Sequence, residues 1–376
     1  MLHVVLITIV LLISGHAHAQ NTLTYPPGTV DDIIIIEGAN QLMNGARADN
    51  VRPSADGKSI ELVDGAIAGS LTLPVIPGRF PFNEAIPSWN GWAPKETGFR
   101  IWMNPILVNR VPQPWFDAGT WGRLADELTT RVIHLNAGIY NIDTLQLNTL
   151  AQGVAIRIDL VRPSPGHQSP QIYMFALSYS NTTGDRRLTA QYAPSPRRLA
   201  RSTQLQVPYY SQVVSRDNWI GRICSPASVN MALAQFGVKR DTLNIASNLY
   251  DPVSDAFGVW HRSVQGASQE GVRGYITRMR NWNDVAAELE KGHVVCASIR
   301  FKAGEVDDPM LKVGRRKRGT EGHLVLITGV RTDGTVTVHD TASKDHGVHS
   351  VWKQEDLAKA WFEKGGVTYI FTGPRQ

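Results

Sequence analysis

The stretch "GRICSPASVNMALAQFGVKR", Gly221 to Arg240, decides how the second half of the chain is read. Its apolar residues recur at helical spacing. Pro226 falls in the first turn and Gly237 just past the last, the positions where helices favour these two residues. The spacing predicts a helix beginning just after Cys224. Working outward, "RDTLNIASNLYD" reads as a second helix with Asp241 as its cap, and "NWNDVAAELEKG" as a third, closed by a glycine. "HVVCASIRF", "GHLVLITGV", "TVTVHD" and "GVTYIFTG" read as strands. Helices first and an antiparallel sheet after them is an α+β order. "RGYITRMRNW" interleaves basic and aromatic residues, but over so short a run it reads as a surface helix.

Upstream the pattern is different. From about Thr24 to Ser180, short runs such as "DDIIIIEG", "SIELVDG", "GSLTLPVI", "FRIWMNPILV", "GVAIRIDLVR" and "QIYMFALSYS" are separated by Gly, Pro, Asn and Asp. That rhythm predicts an all-β sandwich or barrel. The expected organisation is a sandwich-like domain over 20–180, a polar, basic, proline-bearing linker over 181–205, and the α+β domain over 206–376. A chain of 376 residues is long enough for two such cores. Its formal charge of +5 is too weak a bias to argue for nucleic acid. Most of the excess sits in "PRRLAR" and "KVGRRKRG", both read as solvated. Phosphate-cradling glycine loops and metal-ligand clusters do not appear.

The opening "MLHVVLITIVLLISGHAHAQ" has an apolar run too short for a comfortable membrane span, then Ala17-His18-Ala19, a small-x-small cleavage pattern before Gln20. Residues 1–19 are therefore expected to be a signal peptide, giving a secreted or periplasmic protein with no stable membrane insertion. The n-region carries only His3 and no Lys or Arg, so an uncleaved anchor is the alternative.

Export changes how the two cysteines are read. In an oxidising compartment Cys224 and Cys296 could pair. Within its apolar run, Cys296 is most simply a small hydrophobe. Cys224 stands at a helix N-terminus, where such thiols drop from a pKa of about 8.5 to roughly 3.5–7.5. A nucleophilic thiolate also needs a base, and the base an orienting partner. In "EGHLVLITGVRTDGTVTVHDTAS", His323 opens one strand and Asp340 closes the next. A four-residue loop, Val330 to Asp333, would pair Gly329 with Gly334, Ile327 with Val336, Val325 with Val338 and His323 with Asp340. A two-residue Asp333-Gly334 turn would instead set Asp340 against Ile327, a carboxylate among aliphatics. The first register is the expected one. His261, His293, His346 and His349 are rival bases and Asp345 a rival acid, none of them so placed. Trp260 is read as core rather than cleft. Trp89, Trp92, Trp102, Trp115 and Trp121 are read as packing rather than a sugar platform.

"VPYYSQ", "CSPASVNMALAQFG", "FGVWHRSVQGASQEGV", "GHLVLITGV", "VHDTAS" and "WFEKGGVTYIF" together resemble the papain-like cysteine peptidases related to the bacteriocin-processing peptidase domain. The resemblance runs from about Gln206 to Phe371. It implies a papain-like domain with Cys224 as nucleophile, His323 as base, Asp340 as the residue that orients it, and Gln212 as an oxyanion donor. Many relatives carry Cys-Gly where this chain has Cys224-Ser225. The N-terminal half, notably "PSWNGWAP", resembles the all-β module that precedes such domains in some secreted bacterial proteins. The expected activity is hydrolysis of peptide amides through a Cys-His-Asp triad and an acyl-enzyme, with no cofactor. Expected partners are peptide or protein substrates, with cell-wall peptide or polysaccharide on the β domain. One alternative is an amidase or acyltransferase on peptidoglycan peptides; another is a binding protein with a degenerate papain-like domain. Arg315 to Arg318, leading into the His323 strand, would lie at the rim of such a cleft; a surface loop without consequence is the plainer reading, and drawing in anionic substrates the sharper one.

Overall fold

The computed structural model describes residues 25, 28–127, 131–192, 199–214, 217–307, 319–343 and 347–375. The segment read as a signal peptide, the basic run Arg315–Arg318, and the rivals Asp345 and His346 lie outside the described residues. Among those described, no helix is long and apolar enough to cross a membrane.

The N-terminal half is built on a 12-stranded antiparallel sheet. Each of the six runs noted above overlaps a strand: Val30–Glu37, Ile60–Leu62, Ala68–Thr72, Gly98–Leu107, Thr144–Val161 and Gln171–Asn181. Thr144–Val161 is the spine and pairs with four other strands. Its alternate residues Ile156, Ile158 and Leu160 bury a core with Phe82, Phe99 and Phe175.

The reading passed over the strand Ile76–Trp92, whose Pro77, Pro81 and Pro87 argue against a ladder. The geometry resolves the conflict around Pro87. Beyond Ala85 the strand has a sheet neighbour on one side only, Gln171–Asn181, so that flank has no ladder to break. On the open flank, side-chain–backbone bonds between the two halves stand in for the missing strand. Gln265 exchanges two bonds with the backbone of Gly91, at 2.8 and 3.0 Å. Asn90 does the same with Gly274, at 2.7 and 3.0 Å.

Gln265 belongs to the helix Trp260–Gln269, which has no solvated face: His261 through Ser268 are all buried. Its polar composition hid it from sequence reasoning, since His261, Arg262, Ser263, Gln265 and Ser268 are not residues expected in an interior helix. The contact is close because glycines permit it. At Gly119 a Cβ would stand 2.3 Å from the Trp89 ring and 3.0 Å from His261 Nε2. Trp89 is itself fully buried against His261, ring centroids 4.7 Å apart. Gly119→Ala is therefore expected to lower stability by about 2 kcal/mol through overpacking. A urea midpoint would read it, and a change below about 0.5 kcal/mol would mean that the ring pair yields freely. The Arg131–Asp251 pair, 2.7 Å apart and almost wholly buried, ties the two halves on another side.

The C-terminal half packs helices on a seven-stranded sheet, ordered Val272–Arg278, Val367–Pro374, Val294–Lys302, Gly319–Val330, Thr335–Asp340, Ser350–Lys353. The segment read as a surface helix, "RGYITRMRNW", contributes an edge strand instead. Its alternation buries Val272, Gly274, Ile276 and Arg278, a period of two rather than 3.6. Within the stretch read as linker, Arg186–Tyr192 is helical and Thr203–Gln204 pairs with Gly329–Val330. The helix Thr242–Leu249 is capped as expected, Asp241 accepting from the N–H groups of Leu243 and Asn244 at 2.9 and 3.1 Å. Asn281 caps Trp282–Glu290 in the same way.

Candidate active site

The helix Cys224–Gln235 begins one residue earlier than the spacing predicts, with Cys224 itself as its first residue. Gly237, at φ 82°, ends it in the left-handed conformation glycine allows. Cys224 is half-buried as a residue, while Ser225 to Leu233 are buried beneath it. Ser225, one of the residues sequence reasoning left without a role, meets Ser263 at 2.8 Å and the Tyr369 hydroxyl at 3.4 Å. The first turn is thereby pinned to a neighbouring helix and to the sheet.

His323 lies on Gly319–Val330, opposite Ile299, and is 5% exposed. Its ring reaches Asp340, Nε2 donating to Oδ1 at 2.8 Å. That leaves Nδ1 for Cys224, with which His323 is hydrogen-bonded. The meeting is real but the expected register is not. Val330 pairs with Val336 and the Arg331 N–H reaches the Thr335 carbonyl, so Thr332, Asp333 and Gly334 form the turn. Gly334, at φ 85°, supplies its left-handed residue, and a bulge between Ile327 and Gly329 shifts the ladder again. Asp340 therefore faces Val325, and His323 is its diagonal neighbour, still within reach of an imidazole. Asp340 Oδ1 also accepts the Ala342 N–H at 3.1 Å, and the Tyr209 hydroxyl donates to its carbonyl at 2.9 Å. Tyr209 stands in "VPYYSQ", the one signal that could have singled it out.

Burial alone would push the Cys224 thiol up. The His323 hydrogen bond and charge, with the backbone N–H groups of Leu324 and Ser225, outweigh it and hold the thiol below its ordinary value. For His323 burial acts against the charged ring, but Asp340 and Cys224 push it up to about 9. The two groups titrate as a pair, and both shifts act toward the thiolate–imidazolium form. Cys296 is opposite in kind: fully buried and with its thiol pushed well up by that burial. Both cysteines are free, so the pairing considered from export does not form.

Gln212 is buried, its N–H bonded to the Thr341 carbonyl at 2.8 Å and its Oε1 held by the Thr341 hydroxyl at 3.0 Å. Thr341 follows Asp340 directly, which places Gln212 next to the strand end that carries the acid. The described rival bases are engaged elsewhere: His261 against Trp89, His293 with Glu288 at 2.6 Å, His349 stacked on His339. Trp89 and Trp121 are buried, as a packing role requires. Trp260 is a correction. It is half-buried and lines a cleft, because the residue opens its helix rather than facing the interior. Among the described residues, no group of three or more His, Cys, Asp or Glu could hold a metal.

A helix-borne thiol bonded to a strand-borne imidazole is a nucleophile–base pair, the equipment of a thiol-dependent hydrolase. The comparisons give the family. Residues 204–369 match the Peptidase_C39 like family and residues 28–180 match the Peptidase C39 N-terminal domain, consistent with a C39-like peptidase domain behind an N-terminal module. No curated protein matches. Among solved structures, the chain is similar at TM-score 0.22 and 11% identity to the C-terminal CBM6 of LamC, a laminarinase from Zobellia galactanivorans, over 39% of this chain and 98% of that one. A family two carbohydrate esterase from Cellvibrio japonicus is similar at TM-score 0.18 and 12% identity, over 46% of this chain and 38% of that one.

Proposed function

We propose that the protein is an exported, papain-like cysteine peptidase, with a sandwich-like module at 20–180, a linker at 181–205 and the peptidase domain at 206–376. The observation that carries the reading is His323, held between the Cys224 thiol and the Asp340 carboxylate. The family match supports a peptidase of the cysteine type. In the first half-reaction the Cys224 thiolate attacks the amide carbonyl carbon. The imidazolium of His323 gives its proton to the departing amine, leaving a thioester. Water then attacks the thioester, His323 takes its proton and returns it to the sulfur, and the acid is released. Asp340 fixes the ring so that Nδ1 faces the thiol. Gln212 Nε2, with a backbone N–H at the start of the Cys224 helix, stabilises the oxyanion.

The active form needs the thiol ionised and the ring protonated. kcat/KM should therefore rise from acid as Cys224 loses its proton, below the ordinary thiol range, and fall as His323 loses its own near pH 9. A profile that rises only through pH 8 to 9 would mean a neutral thiol–imidazole pair. The direct test is mass-spectrometric mapping of cleavage in a mixed peptide and muropeptide library, with Cys224→Ala as control. Products cut at peptide bonds, with a thioester trapped on Cys224, support the reading. Turnover that survives Cys224→Ala would overturn it. Acyl transfer to an amine in place of water would identify the acyltransferase alternative.

A further inference from the structure

A cleft opens along the strand that carries His323, and its walls come from both halves of the chain. Gly322, the residue before the histidine, and Ile299, its cross-strand partner, lie on one side with Glu321. Opposite stands a hairpin tip of the N-terminal half, where Asn141 pairs with Thr144 and Ile142-Asp143 make the two-residue turn. Ile142 has φ 61°, a conformation that costs a β-branched residue on the order of 1–3 kcal/mol. What holds it there is Asp143. Its Oδ2 accepts the N–H of Trp260 at 2.9 Å, capping from the other half a helix whose preceding residue, Val259, offers no cap. Trp260 also lines the cleft, so the tip is fastened to the opposite wall. The paired bonds of Gln265 with Gly91 and the Arg131–Asp251 bridge fix the two halves around it.

The charges in this cleft are unevenly committed. Lys364 is paired with Glu305 at 3.0 Å, and Arg300 has an interaction of its own. The acidic groups on the facing walls are the exposed Glu321 and Asp143, which is buried, with Oδ2 accepting the Trp260 N–H and Oδ1 the Thr144 hydroxyl at 3.2 Å.

We propose that this cleft is a substrate subsite built jointly by the two halves, in which Asp143 of the N-terminal hairpin selects a basic side chain close to the scissile bond. The inference rests on the peptidase reading above. Burial pushes the Asp143 carboxyl up to about 7, against the Trp260 N–H, the Thr144 hydroxyl and Arg131. The preference should therefore strengthen as pH rises through that value, once the carboxylate is ionised without help from the substrate.

Peptidyl acyloxymethyl ketones test this, the thiolate displacing the carboxylate to leave a thioether on Cys224. The two residues nearest the reactive ketone are varied in turn as Lys, Gln or Glu, and iodoacetamide is run in parallel. At pH 8 the Lys probe is expected to inactivate about tenfold faster than the Glu probe at one of these positions. Asp143→Asn keeps an amide able to make the same turn and cap, and should bring that ratio within about twofold while the iodoacetamide rate holds. Asn141→Lys, which sets a cation in the cleft, should invert the preference without touching Asp143. A Lys-to-Glu ratio unchanged in both variants overturns the inference and leaves the peptidase reading standing. So does a change in Asp143→Asn that lowers the iodoacetamide rate equally, since the tip would then act on the thiol and not on the substrate. No iodoacetamide labelling at Cys224 in the unmodified protein would remove the peptidase reading, and the subsite with it.

Discussion

Cys224→Ala is expected to bring peptide hydrolysis down to the background, a loss on the order of 10⁶ in kcat, while Cys296→Ala stays within about twofold. The asymmetry follows from the two environments. Cys224 heads a helix, is partly exposed, and has His323 and two backbone N–H groups to stabilise its anion. Cys296 is fully buried between Leu326 and Tyr369 on adjoining strands, where burial only raises its thiol. Removing its sulfur leaves a small cavity in the sheet and touches no reacting atom. Iodoacetamide at neutral pH should accordingly mark Cys224 alone in the native protein, and both cysteines after denaturation. Faster labelling of native Cys296 would contradict the site, because it would require an opening of the sheet that exposes the wrong thiol. Full activity in Cys224→Ala would do the same for the mechanism.

Much of this site could be read along the chain because its parts lie where local signals are strong. Pro226 and Gly237 bracket the Cys224 helix, and alternating aliphatics mark the His323 and Asp340 strands. What could not be read depended on partners distant in sequence. The register failed because the turn closed by Gly334 moves the pairing three residues from the expected one and a bulge near Thr328 takes one back, and the bulge has no marker of its own. Diagonal reach rescued the contact that the wrong register had predicted. The helix Trp260–Gln269 was invisible because its polar residues are satisfied by the backbone of Gly91 and Ala93, some 170 residues earlier, rather than by water. The strand Ile76–Trp92 was passed over; its three prolines weaken any strand signal, although Pro87 sits where one flank carries no ladder. Asp143 gave no signal at all: an acidic residue in a hairpin turn is ordinary until another domain lays a helix on it.

His323→Ala and Asp340→Asn should separate the two things the acid does for the ring. His323→Ala removes the base, the proton donor for the leaving amine, and the cation beside the thiolate. kcat/KM is expected to fall by about 10⁴, and the Cys224 thiol to climb, since burial then acts on it with only backbone N–H groups in opposition. Alkylation of Cys224 at pH 6 should slow sharply in this variant. Asp340→Asn is gentler. The amide oxygen can still accept the Nε2–H and the Ala342 N–H at the distances Oδ1 now spans, 2.8 and 3.1 Å, so the ring stays aimed. What disappears is the negative charge that helps push His323 up to about 9. Loss of a neighbouring anion lowers the pKa of an imidazolium, so the alkaline limb of kcat/KM should move to lower pH while the plateau drops roughly 10–100-fold. If Asp340 served only to aim the ring, the plateau and the limb would both stay near wild type. If its charge were indispensable, Asp340→Asn would be as damaged as His323→Ala. The diagonal placement of the pair favours the intermediate outcome, because the carboxylate reaches the ring through a single bond from the side, which an amide can duplicate in shape though not in charge.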